Sequence, residues 1–351
     1  MSPPPFMHLL IEHVHQLRGV LGTERLEQLG PDRLWWCVRR RNNRHDTFVV
    51  GPGDAVRPLL RGETEKTETA ELLPSGLLAV GLRREVRLYD LDTFAPRGVL
   101  PCGETVYHLR PLSNNRLLVW SSGESVPIWD LNTLEVVAQV NARALHLLTV
   151  GALEDDPDAV LLAGRGQPGP PWRATVWDAL RGRAVYTVEV PVPKGAVAEL
   201  WDTIIRPGAD ELYTLVTILR GEERVTTLTQ WANGQQRVME EVLSPHPFNA
   251  LNDMVFASPH HLMVMGHKRD ALWDLRTMTV RRDVRTNELT SNERTLALDW
   301  SVLDLCTGAR VALPSAAARR ARAGVGFSLD PTGERVAMAA ADELVRYRLL
   351  G

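Results

Sequence analysis

Short runs in which apolar and polar residues alternate, separated by polar turns, fill most of the chain, and the runs recur. Leu77 to Asp90 reads LLAVGLRREVRLYD, Leu117 to Asp130 reads LLVWSSGESVPIWD, and Ala159 to Asp178 reads AVLLAGRGQPGPPWRATVWD. Each combines a short apolar strand, a polar loop and a second strand that ends in an aromatic residue followed by Asp. Later copies end at Trp231, Trp273-Asp274, Leu303-Asp304 and Tyr347. With Tyr89, Trp129, Trp177, Trp231, Trp273, Leu303 and Tyr347 as equivalents, the spacings are 40, 48, 54, 42, 30 and 44 residues, a mean of 43.

A period of this length, built from short alternating strands, fits a four-stranded sheet repeated around a ring and excludes a helical solenoid. The segment that begins at Phe327, FSLDPTGERVAMAAADELVRYRLL, resembles the WD-repeat β-propeller family, with Asp330-Pro331-Thr332-Gly333 as its first hairpin turn. Trp129-Asp130, Trp177-Asp178 and Trp273-Asp274 match the family's dipeptide. The resemblance covers roughly residues 65–349 and is best at the third strand; Gly266-His267 lies in a different loop from the family's Gly-His pair. The expected fold is all-β, a seven-bladed β-propeller with eight blades as the alternative. The strand-end aromatics are expected to fill the gap that widens between blades. Residues 34–61 read as three further strands, and N-terminal strands that complete the last blade would close the ring.

The first 31 residues break the pattern. Phe6, Leu9, Leu10, His13, Leu17 and Leu21 fall near helical spacing after Pro3-Pro4-Pro5, which predicts an amphipathic helix, and Thr23 is placed to cap a shorter turn ended by Gly30-Pro31. The predicted organisation is therefore an N-terminal helical segment, 1–31, and a propeller domain, 32–351.

Composition narrows the function classes. The 351 residues are 44% apolar, enough for a sizeable core, and 40 Lys+Arg against 43 Asp+Glu leave a net charge of −3. That balance argues against a protein that coats polyanions. Only Lys66, Lys194 and Lys268 are lysines, an arginine bias that points to a GC-rich bacterial genome. Cys37, Cys102 and Cys306 form no disulfide framework, so a reducing cytoplasmic compartment is expected, and no apolar run is long enough for a membrane span.

Sequence motifs for chemistry are weak. Gly164, Gly166 and Gly169 spell a dinucleotide fingerprint, but Pro168, Pro170 and Pro171 preclude the helix it requires. Adjacent His260 and His261 point apart in a strand, His8, His13 and His15 lack a ligating partner set, and the acidic run from Glu154 to Asp158 lacks the spacing of a calcium loop. No catalytic residue, metal or cofactor is assigned.

The repeat sorts the loops onto two faces. Loops between second and third strands carry twelve cations, Arg39, Arg40, Arg41, Arg44, Arg83, Arg84, Arg165, Arg173, Arg220, Arg224, Lys268 and Arg269, against nine carboxylates, a sum of +3. The hairpins on the other face hold fifteen carboxylates and five arginines, a sum of −10, with Asp90, Asp130, Asp178, Asp274 and Asp304 expected to be engaged in the turn after strand three. The cations should form an arc that, with Trp172 and His267, receives an acidic segment of a protein partner. Nucleic acid is a poorer match, since the charge is small and aromatic interleaving is absent. What the family resemblance implies is a non-enzymatic scaffold for protein interactions in a bacterial multiprotein system; the alternative is a hydrolase or lyase with its site in the central funnel.

Overall fold

The computed structural model describes residues 8–17, 20–30, 33–51, 55–121, 125–141, 147–152, 160–165, 173–178, 183–189, 196–206, 209, 211–220, 223–232, 235–244, 251–266, 270–282, 284, 290–291, 295–298, 301–305, 310–312, 325–329, 335–340 and 343–350. Among them lie eight four-stranded antiparallel sheets. Blade 1 consists of Val20–Gly30, Arg33–Arg40, His45–Val50 and Val56–Glu63. Blade 2 consists of Thr69–Leu72, Leu77–Gly81, Glu85–Asp90 and Pro96–Pro101, and blade 3 of Val106–Leu112, Arg116–Ser121, Ser125–Asp130 and Glu135–Asn141. Blades 4 to 7 begin with Leu147–Ala152, Val197–Ile205, Leu251–Ser258 and Thr290–Ser291. Blade 8 takes Val325–Leu329, Arg335–Ala340 and Glu343–Leu350 from the C-terminal end of the chain and its outer strand, His8–Gln16, from the N-terminal end.

The first strands lie against one another from blade 2 to blade 3 and successively from blade 4 to blade 8, and the first strand of blade 1 lies against those of blades 2 and 8. The sheets therefore form a ring with first strands innermost, a β-propeller. His8–Gln16 closes it by pairing with Glu343–Leu350, from His8 opposite Leu350 to Gln16 opposite Glu343.

Two expectations are corrected. Eight sheets replace the seven blades favoured from the period, and the predicted N-terminal helix is, over its described residues, the strands His8–Gln16 and Val20–Gly30. Bulges in both strands break the strict alternation that marks a strand. The register of Val20–Gly30 slips at Val20/Gly22, Thr23/Arg25 and Gln28/Gly30. Each slip inserts a residue, so the buried positions are Thr23, Leu26 and Leu29, three apart where an unbroken strand would bury every second residue. Thr23 is a strand residue, and its Oγ1 accepts a hydrogen bond from Trp36 Nε1 at 3.1 Å.

The core is distributed between neighbouring blades. Tyr89 packs among Leu29, Trp35 and Val49 of blade 1, and Trp129 among Leu73, Ala79 and Leu88 of blade 2. Trp231 meets Ala174 and Val176 of blade 4, and Trp273 meets Tyr213 and Leu215 of blade 5. These four strand-end aromatics thus seal their blades against the preceding ones, as the repeat predicted.

The junction of blades 2 and 3 is so close at Gly81 that a Cβ there would stand 2.6 Å from Thr69 Cγ2 and 2.9 Å from Val106 Cγ1. Both neighbours are β-branched and stiff about χ1. Gly81→Ala is expected to destabilise the protein by about 1–3 kcal/mol, the usual penalty of overpacking. At Gly98 the clash is with the Leu134 methyls, the mobile end of an unbranched stem, so Gly98→Ala should cost less. Denaturant midpoints of the two variants, compared with wild type, check this order.

Candidate functional site: the loop face and the inner strands

With first strands innermost and every sheet antiparallel, the end of strand two and the start of strand three share one face of the ring, and so do the connections from each outer strand to the next blade. In blade 1, Arg41 and Arg44 are exposed in the turn after Arg33–Arg40, while Arg40 is tied down: its Nε donates to Asp46 Oδ2 at 2.7 Å. Arg39 pairs with Glu24 at 3.1 Å, and Arg44 Nη1 donates to Gly62 O at 3.3 Å. In blade 2, Arg83 and Arg84 project from the Leu82–Glu85 turn. Arg83 approaches Glu65 only to 3.9 Å, whereas the Arg84 carbonyl accepts from Cys102 N and Gly103 N, which fixes that turn against the start of the next blade.

The remaining arc residues divide cleanly. Arg165, Arg173 and Arg220 stand at strand ends on the same face; Arg173 is exposed and pairs with Glu189 at 2.7 Å. Arg224 is half-buried near the start of the third strand of blade 5. Trp172, His267, Lys268 and Arg269 lie outside the described residues. The structure therefore brings Arg41, Arg44, Arg83 and Arg84 onto neighbouring turns, and half of the arc in blades 1 and 2 is already bonded to carboxylates.

Loop counting missed the outer-to-inner connections, which add Glu63, Glu65, Glu68 and Lys66 between those two turns and Glu104 beyond them. Glu63 and Glu85 both bond Arg87, at 3.1 and 2.6 Å. The arc is thus notched by acids between blades 1 and 2. On the opposite face three of the five aspartates expected to be held in the turn after strand three, Asp90, Asp130 and Asp274, are so engaged. Asp90 Oδ1 accepts from Asp92 N and Thr93 N, and Asp130 and Asp274 accept from the corresponding amides of their turns, 2.8–3.4 Å away. Arg97 and these amides hold the Asp90 carboxyl well below the usual carboxylate range.

A second cluster, not anticipated from the sequence, occupies the innermost strands of blades 1 to 3. Val20–Gly30 contributes Arg25 and Glu27, Thr69–Leu72 contributes Glu71, and Val106–Leu112 contributes His108 and Arg110. Arg25 donates to the Glu27 carboxylate and to the Glu68 carbonyl, and its guanidinium lies over the Trp35 ring, 5.7 Å from the centroid. His108 stacks flat on Trp120, with ring centroids 5.0 Å apart. Burial raises the Glu71 carboxyl to about 7, opposed by Arg110 and assisted by Glu27. Burial, then Arg25, lowers the His108 imidazole; burial also lowers Arg110, against the pull of Glu71. The signal was present in the strand VYHLRPL, where His and Arg two apart share one side of a strand that borders the axis.

No protein-family model and no curated protein sequence matches the chain. Among solved structures it is similar to a chain from the crystal structure of a mitotic checkpoint complex, at a TM-score of 0.55 and 13% identity, covering 100% of this chain and 98% of that one. The likeness is one of fold alone. Among the described residues no helix is long and apolar enough to cross a membrane.

Proposed function

We propose that the chain is a non-enzymatic protein-interaction scaffold whose strand-two-to-three face receives an acidic segment of a partner within a bacterial multiprotein system. The observation that carries this reading is the exposure of Arg41, Arg44, Arg83 and Arg84 on neighbouring turns of a rigid ring. Guanidinium forks at such positions offer paired donors to carboxylates, and the Arg87 and Arg40 pairs on the same side show how this surface binds them. Arg165, Arg173, Arg220 and Arg224, at or near strand ends on the same side, continue the candidate surface into blades 4 and 5.

The test is quantitative affinity capture from the native cell with wild type and with Arg83→Glu, Arg84→Glu and Lys268→Glu combined. The expected result is a loss of at least tenfold in one partner that carries an acidic segment, with binding by wild type weakening as salt screens the exposed charges. An unchanged partner set would overturn the assignment. The second reading, a hydrolase or lyase in the central funnel, has the Glu71, His108 and Arg110 cluster on its side, since perturbed groups from two adjoining blades come together there. Glu and His can act as acid, base or nucleophile, but among the described residues no hydrogen bond joins any two of the trio, so no catalytic pair is assembled there and the scaffold stands as the conclusion.

A further inference from the structure

The cluster on the inner strands of blades 1 to 3 has an uncommon pattern of satisfied and unsatisfied groups. Arg25 is fully engaged by Glu27, the Glu68 carbonyl and the Trp35 ring. Arg110 is not: its Nε is buried without an acceptor, and no hydrogen bond or ion pair among the described residues reaches its guanidinium. The Glu71 carboxyl likewise has no donor, although it lies within electrostatic reach of Arg110. The two stand on strands packed side by side and interact electrostatically, with no hydrogen bond or ion pair between them among the described residues. A buried N–H without an acceptor is costly, and an oxyanion from solution held by the half-buried Arg110 side chain would supply acceptors to its guanidinium.

We propose that the inner strands of blades 1 to 3 bind a small free oxyanion, held by the Arg110 guanidinium beside the His108–Trp120 stack and opposed by the Glu71 carboxylate whenever that group is charged. Planar guanidinium matches the paired oxygens of sulfate, phosphate or carboxylate. The groups that bear on Glu71 are Arg110 and His108 from Val106–Leu112 and Glu24, Arg25 and Glu27 from Val20–Gly30; the neighbouring strand Leu77–Gly81 carries no charge. Glu24 is paired with Arg39 and Glu27 with Arg25, so the group left to contest Arg110 is Glu71. The Glu71 carboxyl titrates near 7, and His108 stays uncharged above neutral pH because its pKa is lowered. Binding is therefore strongest below pH 7 and falls as pH rises and Glu71 ionises. The site is separate from the loop face, and neither reading depends on the other.

The probe is sulfate, whose own charge is constant over this range, titrated into the full chain and followed by isothermal calorimetry and by the NMR signals of the His108 ring at pH 6 and pH 8. The expected result is saturable binding about tenfold tighter at pH 6. Arg110→Gln should abolish it, and Glu71→Gln should bind equally at both pH values, with a thermal midpoint at pH 8 no lower than wild type as the check on folding. Binding by Arg110→Gln equal to wild type, no saturable binding at pH 6, or an unchanged pH dependence in Glu71→Gln would overturn the proposal.

Discussion

Deletion of residues 1–16 is expected to abolish cooperative unfolding of the ring at its wild-type temperature. His8–Gln16 is the outer strand of blade 8, and its whole length pairs with Glu343–Leu350. Its loss removes a ladder whose bonds each contribute roughly 1 kcal/mol net, against a total stability of about 5–15 kcal/mol. It also uncovers the edge of Glu343–Leu350, a strand with Val345 and Tyr347 buried in the native ring and a ready template for association between chains. Thermal scans combined with light scattering should show a midpoint many degrees lower and oligomers at micromolar concentration. A synthetic peptide of residues 8–16, supplied in excess, should restore part of the midpoint by adding the strand back. A truncated protein that is monomeric with an unshifted midpoint would refute this view of ring closure.

The same strand marks the limit of what could be read from the sequence. Seven third strands were legible because each places a bulky apolar residue, Tyr89, Trp129, Trp177, Trp231, Trp273, Leu303 or Tyr347, near its end. The eighth was hidden by a transposition of bulk. In blade 2 the register sets Leu78 of strand two opposite Tyr89 of strand three, and in blade 3 Leu117 opposite Trp129. In blade 1 the corresponding pair is Trp35 opposite Val49. The volume between blades is filled from the other strand of the hairpin, so the packing requirement is met while the repeat signature disappears. The strands of residues 34–61 were then legible, but their inner partner Val20–Gly30 was concealed by its three bulges.

The candidate sites divide along a similar line. Which turns share a face follows from strand order alone, so the positions of Arg41, Arg44, Arg83 and Arg84 could be reached from the repeat. How much charge they leave free could not, because it depends on the outer-to-inner connections and on pairs such as Arg40 with Asp46, only six residues apart, and Arg87 with Glu63, on different blades. The inner-strand cluster required knowing which strand is innermost and which blades adjoin; Arg25, Glu71 and Arg110 are far apart in sequence and carry no motif.

Trp36→Ala is expected to cost about 3–5 kcal/mol, a large part of the stability of the whole chain. Trp35 and Trp36 are both fully buried and point to opposite sides of the same strand. Trp35 packs against blade 2 through Ala70, Leu78 and Tyr89, whereas Trp36 packs against blade 8 through Ala337, Ala339 and Leu344. Small residues on blade 8 make room for the indole, and truncation would leave a cavity at the junction that His8–Gln16 closes. The effect of Trp36→Ala should therefore be smaller in the chain lacking residues 1–16 than in the full chain, because the two changes act on one junction and are not additive. Phenylalanine substitutions separate packing from hydrogen bonding. Trp36 Nε1 donates to Thr23 Oγ1, so Trp36→Phe should lose about 1 kcal/mol beyond its volume change; Trp35 Nε1 is buried without an acceptor, so Trp35→Phe sheds a desolvation cost and should be the milder variant. Equal denaturant midpoints for the two phenylalanine variants would show that the Trp36–Thr23 bond contributes nothing to the stability of the first blade.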